Sequence, residues 1–73
     1  MMDKDGYSMS KSQKGTYVHH RDSSRLAVVE RHGKRWMVLT YKAPGSSGPS
    51  AVHDKHSDAI DDAKSYVNTG NFL

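Results

Sequence analysis

The sequence contains no cysteine. That excludes disulfides and thiolate metal sites and fits a reducing compartment. Proline is scarce, at two residues, and the aromatic set is four tyrosines, one tryptophan and one phenylalanine. The longest uninterrupted apolar runs, such as Trp36 to Leu39, are only four residues, far from the roughly 20 that carry a helix across a bilayer. The opening stretch MMDKDGYSMSKSQKG lacks the apolar core of a signal peptide. A soluble, cytoplasmic protein without a membrane partner is the expectation. At 73 residues the chain is one domain near the lower size limit, where folding buries only about 60% of the unfolded surface.

Catalytic and metal-binding patterns are also missing. There is no phosphate-cradling glycine loop and no serine in a nucleophile-elbow context. Asp58, Asp61 and Asp62 are close together, but in the first turns of a helix such carboxylates serve the helix dipole. His19 and His20 are adjacent and His53 and His56 are three apart, and neither spacing gives a closed four-ligand zinc site. No enzyme activity, metal or cofactor is expected.

What is present is an uneven charge. Residues 1–42 carry nine Lys/Arg against four Asp/Glu, a balance of +5, and residues 43–73 carry two against four, a balance of −2. A positive first half suits an anionic partner, although a solvated surface carries such charge equally well.

Residues 1–15 are polar and aperiodic and read as a flexible arm, which leaves 16–73 as a single domain. TYVHH, residues 16–20, has the composition of a short strand. In RLAVVERHGKRWMVLTYK two apolar runs flank RHGK symmetrically, and Gly33 can take positive φ freely. This predicts an antiparallel hairpin of 25–31 and 34–42 turning at His32-Gly33. APGSSGPS, residues 43–50, is a flexible connector, and AVH, 51–53, suits a third short strand. Residues 57–69 then form a helix, with Ser57 as N-cap, an apolar stripe of Ala59, Ile60, Ala63, Tyr66 and Val67, and Gly70 as closing cap. The fold class is α+β: a small antiparallel sheet with one C-terminal helix on one face.

Alternation divides the hairpin into two faces. Leu26, Val28, Met37, Leu39 and Tyr41 form a nearly pure apolar face, the natural seat for Ile60, Ala63 and Val67. The other face sets Trp36, Ala27, Val29 and Val38 among Arg25, Arg31, Lys34 and Lys42. Trp36 is either core, as large aromatics often are, or the centre of an exposed basic patch. The cations favour the second reading because charge is costly to bury. Trp36, Arg25, Arg31, Lys34 and Lys42, with neighbouring Arg35, are the candidate partner-binding residues.

Trp and Arg are the residues most enriched at protein hot spots, so a protein partner comes first. Direct nucleic-acid binding is the alternative, with the cations on phosphates and Trp36 stacked on a base. In length and character the chain resembles small phage-encoded inhibitors of host bacterial RNA polymerase of the Xanthomonas-phage type. RWMVLTY and HSDAIDDAKSYV are also similar to strand-strand-helix modules. The first resemblance implies a monomeric, non-enzymatic protein in the host cytoplasm that binds the polymerase and inhibits transcription. It assigns no role to a numbered residue.

Overall fold

The computed structural model describes residues 4–43 and 45–73, with backbone alone at residue 43. Its elements are strands β1 (Tyr7–Lys11), β2 (Thr16–His20), β3 (Leu26–His32), β4 (Arg35–Ala43), β5 (Ser46–Ser47) and β6 (Ala51–His53), then helix α1 (His56–Thr69). The strands form one antiparallel sheet in the order β1-β2-β3-β4. The far edge of β4 is shared, with β5 pairing at Tyr41 and Ala43 and β6 at Trp36–Val38. This is the α+β class, with the single helix on one sheet face.

The hairpin turns one residue later than expected. His32 pairs with Arg35, so the turn residues are Gly33 and Lys34, and Trp36 lies opposite Arg31 rather than Val29. Gly33 has φ 67°, and the first of two turn residues is where a II′-type turn calls for glycine. Turning at His32-Gly33 would have asked His32 for a turn conformation that glycine adopts at lower cost. The change moves pairing by two residues, an even number, so each side chain keeps its face.

Helix α1 corrects a larger expectation. It packs on Ala27, Val29 and Val38 and not on the face of Leu26, Met37 and Leu39. The buried cluster joins Val18 of β2 to those three and to Ala59, Ala63, Tyr66 and Val67 of α1, with Tyr7, Trp36, Ile60 and Phe72 at its border. Size complementarity explains the choice. The helix presents alanines at its centre, and the short side chains of Ala27, Val29 and Val38 let it approach the sheet closely. Leu, Met and Tyr would have held it away and left gaps beside the alanines.

Two segments expected to be flexible contain structure. Within the predicted arm, Tyr7–Lys11 pairs with β2 along its whole length; residues 1–3 of that arm lie outside the described residues. Within the connector, Ser46–Ser47 pairs with β4, and Gly48 N–H donates to Thr40 O at 2.8 Å. The predicted strands at 16–20 and 51–53 are present. The helix starts at His56, with Lys55 as its N-cap residue and no side-chain capping bond from Ser57. It ends as expected, on Gly70 at φ 87°, whose N–H donates to Tyr66 O.

Candidate functional site

The six residues singled out in the sequence do not converge. Arg25 is committed to the helix: its Nε donates to Tyr66 O at 3.0 Å and its Nη2 to Asn68 O at 2.9 Å. These carbonyls belong to the last turn of α1, where the dipole is negative; Tyr66 O also accepts from Gly70 N–H at 2.7 Å, and a guanidinium suits the place. Trp36 is half-buried at the opposite end of α1. Its ring meets His56 edge-on at 4.5 Å between centroids, and the Arg31 guanidinium lies 5.6 Å from its centre.

Arg31 also donates from Nε to Gly33 O at 3.1 Å. Arg35 lies on the other face in an exposed ion pair with Asp54 at 3.3 Å. Lys34 is exposed in the turn and Lys42 at the far end of β4. Lys42 lies six positions along β4 from Trp36, about 20 Å at ~3.3 Å per residue. Of the predicted ring, Arg31 alone meets the indole. The open basic patch around Trp36 is therefore replaced by a packed ring with one cation on its border.

The carboxylates and histidines near α1 also have structural places. Asp62, nearly buried, accepts a bond from His53 through Oδ2 and from the Leu73 amide through Oδ1 at 3.1 Å. It thus ties β6, α1 and the C-terminal residue together. Asp58 sits in the first helical turn, as the dipole favours.

A second set of apolar side chains lies on the face that α1 leaves uncovered. Across β2, β3 and β4 it carries half-buried Tyr17, Leu26, Met37 and Leu39, exposed Tyr41 and, at its centre, buried Val28, in the pairings Tyr17 with Val28, Val28 with Leu39 and Leu26 with Tyr41. A shallow groove of about 480 Å³ runs over Tyr17, Leu26, Val28 and Tyr41, with Lys14, His19 and Glu30 at its margin. Tyr41 is 36% exposed, and Val52 of β6, beside Met37, is 49% exposed. Helix α1 packs on the other face, and the loop residues Lys14, Ser24 and Gly45 border the groove.

The sequence contained a usable signal for this outcome. A helix whose central residues are Ala59 and Ala63 matches the smaller-residue face of the hairpin, which leaves the Leu, Met and Tyr face outward.

Compared with family models, known proteins and solved structures, the chain matches none.

Proposed function

We propose that this is a non-enzymatic binding protein that docks a macromolecular partner on the open face of its sheet and modulates that partner's activity. The observation that carries the reading is the uncovered strip of Tyr17, Leu26, Leu39 and Tyr41 around the groove. Apolar and aromatic side chains held on a rigid sheet supply contact area at low entropic cost, which is what an interface centre requires. Lys14 and His19 border the groove and Glu30 is its one acidic margin. A protein surface with an apolar centre and an acidic group placed to meet Lys14 is the complementary shape.

The resemblance in size and character to phage-encoded inhibitors makes bacterial RNA polymerase the first partner to test, with inhibition of transcription as the activity. The test measures purified polymerase binding to the wild-type chain and to Tyr41→Asp, alongside promoter-dependent transcription. Loss of both binding and inhibition in Tyr41→Asp, with the fold retained, supports the reading. Undiminished binding overturns it for this face. Binding to nucleic acid alone, with affinity falling steeply and linearly in log salt, would establish the other class of partner instead.

A further inference from the structure

Strand β1 ends the sheet on its side: among the described residues it pairs with β2 and with nothing beyond. The opposite edge is divided between β5 and β6, of two and three residues, too short to template another strand. Native proteins usually guard a free edge with proline, a bulge or repeated charge. The residues of β1, YSMSK, offer no proline and a single terminal cation, and their register with β2 is unbroken.

The edge is also fixed in place. At one end Arg21 N–H donates to Gly6 O at 2.9 Å, and at the other Ser12 N–H donates to Gly15 O at 2.8 Å. Tyr7 is anchored to the helix, with its hydroxyl accepting from Asn68 Nδ2 at 3.3 Å and Lys64 Nζ 5.3 Å from its ring.

The middle and end of the strand are less occupied. Met9 pairs across the sheet with Val18, a fully buried core residue, yet is itself 48% exposed. A groove of about 340 Å³ lies beside it, lined by Met9, Lys11, Thr16, Ile60 and Asp61. Lys11 makes no ion pair among the described residues.

We propose that β1 is a strand-addition edge that takes an extended segment of a partner protein, with an apolar side chain beside Met9 and an acidic one beside Lys11. The two positions are alternate residues of one strand, so the segment needs an apolar and an acidic residue two apart. Backbone hydrogen bonds would supply the attachment and the side-chain pair its selectivity. A second copy of this chain fits less well. Two-fold pairing centred on Met9 would bring Lys11 of one copy against Tyr7 of the other, whose ring already has Lys64 beside it. This edge is separate from the groove on the open face, so either proposal can fail without the other.

The probe is a blocked seven-residue peptide with glutamate and leucine two positions apart and threonine elsewhere, titrated into the ¹⁵N-labelled full chain. Two further peptides carry N-methyl groups on one or the other alternate set of amides. Saturable shifts centred on residues 7–11 and 56–61 are expected. One N-methylated peptide should lose binding and the other keep it, because only one set of amides faces β1. Lys11→Glu, an exposed site, should weaken the parent peptide by about tenfold, as reversing one close charge pair can. A peptide with lysine in place of glutamate should restore binding to that variant, and Tyr41→Asp should leave it unchanged. No saturable shift, equal binding by both N-methylated peptides, or shifts centred on the open face would overturn the proposal. So would β1 shifts that appear on concentrating the chain without peptide, which would give the edge to a second copy.

Discussion

The two faces of this sheet are built from the same strands yet use opposite materials. The covered face carries Ala27, Val29, Val38 and Thr40, short side chains over which α1 can lie close. The open face carries Leu26, Met37, Leu39, Tyr41 and Tyr17. Total hydrophobicity would have assigned the helix to the second set, because burial is favourable in proportion to apolar area. Packing decides otherwise, since a helix with alanines at its centre gains dispersion contacts only where the opposing surface comes close. Cations on the covered face are no obstacle when each has a place at the border. Arg25 reaches the carbonyls at the helix C-terminus and Arg31 lies by the indole.

The strongest way to break this comparison is to empty the covered side. Tyr66 is 1% exposed at the centre of the cluster, so Tyr66→Ala should cost about 3–5 kcal/mol, as large aromatic truncations in cores do. For a domain this small that is most of the available stability, and thermal melting should find the variant largely unfolded. Tyr66→Phe is the control. Among the described residues the hydroxyl is buried without a hydrogen-bond partner, so its removal should leave the melting midpoint unchanged or raise it.

Arg25→Met comes next. It leaves Tyr66 O and Asn68 O without their charged donor, at an expected cost of about 1.5–3 kcal/mol. Arg25→Lys should not restore the loss, because an ammonium cannot reproduce the fork that spans both carbonyls. Chemical denaturation of the three proteins checks this, and equal stability of wild type and Arg25→Met would remove Arg25 from the helix cap.

These residues show how far the sequence could be read. The elements were legible: alternation marked β3 and β4, the 3.6-residue stripe marked α1, and Gly70 marked its end. The division of the hairpin into faces was legible too, since a two-residue change of register preserves it. The side taken by the helix was not, because it depends on the fit between Ala59 and Ala63 and the strand surface. β1 was hidden for a different reason. YSMSK has little apolar content of its own, and it becomes a strand through its pairing with β2 and the anchoring of Tyr7. As for the candidate site, residue types predicted a cluster, but a basic residue six positions from Trp36 on an extended strand is too distant to join one.

Trp36 lies at the border between the two materials, and its truncation should have an intermediate effect. It is half-buried against His56 and Arg31, so Trp36→Ala should cost about 2 kcal/mol, below the ~3–5 of a fully buried aromatic. On the proposed function, partner binding by the folded fraction should persist, because the ring faces α1 and not the open strip. Retained stability with lost binding would reverse that assignment and return the indole to the interface.

The smallest stability change belongs to the open face, and it sharpens the comparison most. Tyr41 is partly exposed and lies outside the helix-side cluster. Among the described residues Tyr41→Asp breaks no side-chain hydrogen bond and opens no enclosed cavity, so its melting midpoint should reflect a change within about 0.5 kcal/mol. At an interface centre the same substitution removes an aromatic anchor and places a charge where the partner would have to desolvate it, at a cost of 2 kcal/mol or more in affinity on the scale of ~2–4 for hot spots. Stability and affinity should therefore separate at Tyr41, while at Tyr66 they fall together. If Tyr41→Asp instead melts several degrees lower, the open face contributes to the core and the contrast between the two sides fails. If it changes neither stability nor binding, the strip is inert surface and the docking site lies elsewhere on the molecule.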